Sequence, residues 1–259
     1  MLIFLVCFFA CIIGAICGIG GGVIIKPVLD AVSGMDPASI NFLSGCTVLA
    51  MTAYSVGRSR LGKDSRLELR VGVPLALGAA AGGILGKLLF QMLLSGSEDP
   101  DRVGAIQTLC LLLLTAATLL YTLEKRRIKT QLIKNRGVCL LIGLLLGLLS
   151  SFLGIGGGPI NLVVLFYFFS MDAKTAAENS LYIILFSQIA SLLYSFAAGS
   201  IPSVSLSMLA LMAAGGICGG ICGRRINKKL TGRSVDQLFI VLMIVMIALN
   251  IRNLLAFTR

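Results

Sequence analysis

The 259-residue sequence contains no histidine. That removes the commonest general base, the commonest metal ligand and every Ser-His or Cys-His nucleophile pair, which argues against an enzyme. Charge is also scarce. Only 13% of residues are charged, against about 25% in ordinary soluble domains, while 57% are apolar and the mean hydropathy is +0.98. A soluble domain of this composition could not cover its surface with polar groups, so the chain reads as an integral membrane protein. Eight cysteines (Cys7, Cys11, Cys17, Cys46, Cys110, Cys139, Cys218, Cys222) lie inside apolar runs without CxxC pairs, so they predict neither a zinc site nor a disulfide framework. They read as small packing residues. Paired carboxylates are missing too, and no cofactor or metal is expected.

What is present is a succession of apolar runs, approximately 2–33, 38–57, 71–94, 103–123, 137–170, 176–196, 203–223 and 235–257. About 20 apolar residues span a bilayer, so the chain has room for roughly eight passes and no attached soluble domain. The first run follows Met1 without a basic n-region, so it is read as mature protein rather than a signal peptide. The excess of 22 Lys+Arg over 11 Asp+Glu is confined to short links, which makes it a topology signal and excludes nucleic acid as the main partner.

The first and fifth runs are too long for one simple span, and each carries a glycine cluster that should break a helix. A shift of 136 residues places Gly18-Ile19-Gly20-Gly21-Gly22 on Gly154-Ile155-Gly156-Gly157-Gly158, and Met35-Asp36 on Met171-Asp172. A shift of 137 places Gly82-Gly83-Ile84-Leu85-Gly86-Lys87 on Gly219-Gly220-Ile221-Cys222-Gly223-Arg224. Two homologous halves are therefore expected, 1–123 and 137–259, joined by a basic linker at 124–136.

Charge predicts their orientation. Link 58–70 carries Arg58, Arg60, Lys63, Arg66 and Arg70, whereas 95–102 carries Glu98, Asp99 and Asp101. In the second half the pattern reverses, with no charge in 197–203 and Arg224, Arg225, Lys228, Lys229 and Arg233 in 224–234. By the positive-inside rule equivalent links face opposite sides, with 58–70, 124–136 and 224–234 cytoplasmic. Each half must then cross an odd number of times. The expected fold is all-α, with about eight apolar segments in two inverted halves and the first segment of each broken or re-entrant at GIGGG.

A GxGxxG-like string without a strand, a following Lys-Ser/Thr or an aqueous domain is a poor nucleotide loop. Broken backbone at membrane depth survives only where protein buries it or a wet cavity borders it. Two such breaks would meet near the midplane, offering backbone N–H groups and half-helix N-termini to an anion. Leucine at Gly21 or Gly157 is then expected to abolish transport and leave a folded protein. The alternative is that the glycines only permit close helix packing, which is the preferred reading for GGILGK and GGICGR.

GIGGG with a nearby proline in each half (Pro27, Pro159), Asp36-Pro37 opening the next helix, and the later GGxxG before Lys87 or Arg224 together resemble the sulfite exporter TauE/SafE family over essentially the whole chain. The resemblance implies a multi-pass transporter in a bacterial plasma (inner) membrane for small sulfur-containing anions such as sulfite or sulfonates. Two positions depart from it: Lys26 stands where an apolar residue is usual, and Val163 rather than a proline aligns with Pro27.

Candidate substrate-binding residues are Gly20, Gly21, Gly22, Lys26, Asn41, Ser44, Gly156, Gly157, Gly158, Asn161, Asn179 and Ser180. Lys26, read as the only charge close to either break and lying deep in an apolar run, is either a counter-ion to the substrate or a side chain snorkelling to an interface. Gln188 is a further possible donor. Asp36 and Asp172 read as N-caps, and Glu178 as a first-turn acid or a proton-coupling carboxylate. The leading function is a secondary carrier of a small anion by alternating access, with a coupling ion (proton or sodium) that leaves no signature. The alternatives are a membrane-embedded accessory or sensor protein and a passive channel.

Overall fold

A computed structural model describes residues 2–61, 65–97, 100–125 and 127–257. Lys63, Glu98, Asp99 and Arg126, which enter the charge pattern above, lie outside the described residues. Among the described residues the chain forms ten α-helices and no strand: α1 (Leu2–Cys17), α2 (Gly22–Val32), α3 (Pro37–Arg60), α4 (Leu69–Gly96), α5 (Pro100–Glu124), α6 (Arg136–Phe152), α7 (Pro159–Phe169), α8 (Ala173–Ala197), α9 (Leu206–Lys229) and α10 (Gly232–Phe257). Six of them, α3, α4, α5, α8, α9 and α10, are long and apolar enough to cross a membrane. The protein is a multi-pass membrane protein.

Ten helices arise from eight apolar runs because the first and fifth hold two each. Helix α1 ends at Cys17 and α2 begins at Gly22; α6 ends at Phe152 and α7 begins at Pro159. The intervening glycines end the ladder, and Pro159 starts the new helix at the position where its missing N–H costs nothing. At 11 residues, α2 and α7 are about 16 Å long, roughly half a hydrocarbon core of ~30 Å. Their successors are capped as the sequence predicts. The Asp36 carboxylate accepts from the Ser39 N–H at 2.9 Å with Pro37 in the first turn, and Asp172 accepts from the Lys174 N–H at 3.3 Å.

Lipid tails are as apolar as leucine, so close backbone approach rather than hydrophobicity holds such helices together. Glycines supply that approach along two seams. Side chains on Gly78, Gly82 and Gly86 of α4 would overlap the carbonyls of Leu140, Leu144 and Leu148 of α6. Gly215, Gly219 and Gly223 of α9 face the carbonyls of Phe4, Phe8 and Ile12 of α1 in the same way. The GGxxG pair is thus a packing device on one face of each helix. Under the sequence shift these seams are counterparts, as are α4 on α8 with α9 on α3, and α2 on α10 with α7 on α5.

Candidate functional site

The two glycine breaks touch at the centre of the bundle. Gly20 (φ +77°) and Gly156 (φ +67°) occupy equivalent left-handed positions, which an L side chain adopts only at a cost of about 1–2 kcal/mol. A Cβ on Gly20 would lie 3.8 Å from the Gly156 carbonyl oxygen, and one on Gly157 3.2 Å from that of Ile19. Among the described residues the N–H groups of Gly20, Gly156 and Gly157 find no backbone acceptor. Ser44 and Ser180, equivalent under the repeat, are fully buried, with hydroxyls that find no protein partner, and a Cβ on Gly22 would sit 2.9 Å from the Ser44 Oγ. Donors therefore gather where the breaks meet.

Several candidates press against protein or are already engaged. A Cβ on Gly21 would come within 2.5 Å of the Cys11 Sγ, and one on Gly157 would overlap Ile184 Cδ1. Leucine at either position collides with protein, which corrects the expectation that such variants stay folded. Asn179 is fully engaged: its Oδ1 accepts from the Glu68 N–H at 3.1 Å, and its Nδ2 donates to the Arg66 and Thr175 carbonyls. It holds the 65–68 link. Asn161 is buried with an unpartnered Oδ1, and it borders a small apolar gap with Gly158, Leu111 and Leu153.

Lys26 does not reach an interface; it is 1% exposed. Its ammonium donates to Asn41 Oδ1 at 2.9 Å and to Gln107 Oε1 at 3.0 Å, and lies 3.7 Å from the Asp30 carboxylate. Three donors meet three acceptors, so the charge is satisfied within the protein. Gln107 in turn donates to the Phe152 carbonyl at the end of α6, and the Asn41 side chain packs directly on Gly154. The network ties α2, α3 and α5 to the second break. The sequence reading treated Lys26 as the only charge near a break and missed Asp30. Its position one turn along the same helix, as the sole acid of the first run, was the available signal. Under the 136-residue shift the positions of Lys26, Asp30 and Asn41 correspond to Leu162, Phe166 and Ala177, all buried and apolar.

Beside the first break the arrangement is open. A cavity of about 300 Å³ is lined by Ala15, Ser55, Ala177, Leu181, Asn227, the carboxylate Glu178 and the cations Arg66, Lys174, Arg224 and Lys228. Ala177 on its wall packs against Gly18, which places the wall of the cavity beside the glycine break. Arg224 donates to the Ser55 carbonyl at 2.7 Å, Asn227 to the last-turn Ile16 carbonyl at 2.6 Å, and Glu178 accepts from the Arg66 N–H at 3.2 Å. Glu178 lies in the second turn of α8, not the first. With four cations to one carboxylate, the cavity favours anions. The sequence presents Arg66, Arg224 and Lys228 only as topology markers and does not single out Lys174, because nothing local says that three separate segments fold around one space.

A family model described as "Sulfite exporter TauE/SafE" matches residues 3–249. The chain belongs to this family. No curated protein and no solved structure matches it. Membership makes the chain a membrane transporter, and the TauE/SafE match spans both glycine breaks, the buried Lys26 network and the basic cavity alike. Among the described residues of this TauE/SafE protein no cluster of acidic and cysteine side chains could hold a metal ion.

Proposed function

We propose that this protein is a secondary transporter of a small anion, a sulfur oxyanion or organosulfonate, working by alternating access in a bacterial inner membrane. The observation that carries the reading is the four-cation cavity abutting a glycine break in a chain of the TauE/SafE family. The substrate site lies where the breaks meet. Gly20, Gly22, Gly156 and Gly158 contribute backbone, Ser44 and Ser180 contribute hydroxyls, and Asn41 is held in place by Lys26. Lys26 acts as a positioning residue whose charge orders the amide.

In this reading 1–123 and 137–259 are inverted halves, 124–136 is their cytoplasmic linker, and α1–α2 and α6–α7 are hairpins that return to the side they entered from. The matched helix pairings support that arrangement. The cavity faces the cytoplasm and leads to the site, while Asn41 on Gly154 and its network close the other side. A closed side favours a carrier over a passive channel.

The test is uptake and release of radiolabelled sulfite by proteoliposomes of known orientation. Saturable flux, competed by sulfonates and insensitive to large organic cations, is expected. Arg224→Gln should raise the half-saturating concentration on the cavity side by about tenfold, the effect of one charge-assisted hydrogen bond. Absence of flux for every oxyanion, with no ligand-induced change in melting temperature, would overturn the reading.

A further inference from the structure

Lys87 is a buried charge that neither the network nor the cavity uses. It is 7% exposed in the middle of the fourth helix, and it has no hydrogen bond and no carboxylate partner among the described residues. Its ammonium lies over the face of Phe90, 5.3 Å from the ring centroid. A buried ammonium without an anion is costly, and a cation–π contact recovers only part of that cost. Such a charge calls for a partner that comes and goes.

The surroundings indicate what kind. Lys87 lines a closed pocket of about 10 Å³ with Asn41, Gly45, Ser151, Gly154, Gln188, Ser191 and Leu192. The Ser151 hydroxyl is buried without a partner, and Asn41 and Gln188 bring amide groups to the same space. Five of its eight lining positions match lining positions of the open basic cavity. Under the repeat, Asn41 corresponds to Ala177, Gly45 to Leu181, Ser151 to Ala15, Ser191 to Ser55 and Lys87 to Arg224. One member of the pair holds about 300 Å³ and the other about 10 Å³.

We propose that Lys87, with Asn41, Ser151 and Gln188, forms a second anion site that takes a small oxyanion from the face opposite the basic cavity. The site is collapsed in this conformation and opens as the cavity around Arg224 closes. Each GGxxG helix then presents one cation to one side of the membrane, and the oxyanion passes between them through the meeting point of the breaks. The inference rests on the anion-transport reading above and assigns to it a side-specific residue.

The experiment measures half-saturating sulfite at each face separately, in proteoliposomes sorted by orientation. Lys87→Gln is expected to raise the value at the Lys87 face by about tenfold or more and to leave the cavity face within about twofold; Arg224→Gln should do the reverse. Lys87→Arg, which keeps the charge, should recover most of the loss. Lys87→Met removes an unpaired charge and should fold at least as well as the wild type, which separates a binding defect from a folding defect. Wild-type protein that neither moves sulfite nor gains melting temperature with it removes the transport reading and this site together. Wild-type transport with Lys87→Gln unchanged at its own face, or equally impaired at both, removes this site alone.

Discussion

The Lys26–Asp30 pair shows what a charge inside a membrane protein requires. Both side chains are almost completely buried, and the ammonium is satisfied by one carboxylate and two amides. Breaking a buried pair leaves an uncompensated charge, which costs about 3–5 kcal/mol, whereas replacing both partners is often neutral. Asp30→Leu alone should therefore lower the melting temperature of the detergent-solubilised protein sharply. Lys26→Leu combined with Asp30→Leu should restore most of it, because the equivalent positions in the other half are already Leu162 and Phe166. A double variant whose loss equals the sum of the Lys26→Leu and Asp30→Leu losses would mean that the pair contributes no coupling. The presence of a charge at Lys26 was legible in the sequence. Its satisfaction was not, because Gln107 lies 81 residues away and only folding brings it to 3.0 Å.

At the scale of the helix, glycines do two different jobs that one letter cannot distinguish. Gly82 in α4 faces the Leu144 carbonyl so closely that a methyl group must push α4 and α6 apart. Gly82→Ala should reduce folded yield and melting temperature, despite alanine's better helix propensity. Gly57 in α3 has nothing within 4 Å of a built Cβ, so Gly57→Ala should stabilise by about 1 kcal/mol. Gly20 is a third case: a Cβ there meets no atom closer than 3.5 Å, but φ is +77°. Gly20→Ala should cost about 1–2 kcal/mol through backbone strain and lower transport per folded molecule, since its methyl group enters the space between the breaks. Melting curves of the three variants, ranked Gly57→Ala above Gly20→Ala above Gly82→Ala, check the assignment. The existence of the breaks was readable from glycine clustering. Which face of each glycine another helix covers was decided by the packing.

For the whole molecule, side-specific charge is the property that should be visible from outside. Ion pairs and contacts gather Arg66 with Asp172, Arg60 with Tyr182 and Lys125 with Asp236 at the end of the bundle that carries the basic links. Reporter fusions after residues 64 and 229 should both report the cytoplasm, and those after 98 and 200 the opposite side. The inverted arrangement fails if 200 and 229 report the same side. Inward access should also weaken with salt, because the four cavity cations act over a Debye length of about 8 Å at physiological ionic strength. Half-saturating sulfite at the cavity face is thus expected to rise between low and high ionic strength, and more in wild type than in Arg224→Gln.

By itself the sequence determined the class of molecule. Apolar runs of bilayer length, glycine clusters that stop helices, and Asp36 and Asp172 that cap the next ones act over a turn or two, so composition and spacing suffice to read them. The same locality made the family resemblance legible, since its motifs are short strings. Only the tertiary structure decided which polar groups share a space. Arg66, Lys174, Arg224 and Lys228 come from three separate segments and line one cavity, whereas Lys26, which looked like the lone charge, is closed off by partners from α2, α3 and α5. The physical reason is that a side chain's electrostatic role depends on neighbours within a few ångströms, and in a bundle of ten helices those neighbours are set by inter-helix packing between residues far apart in the chain.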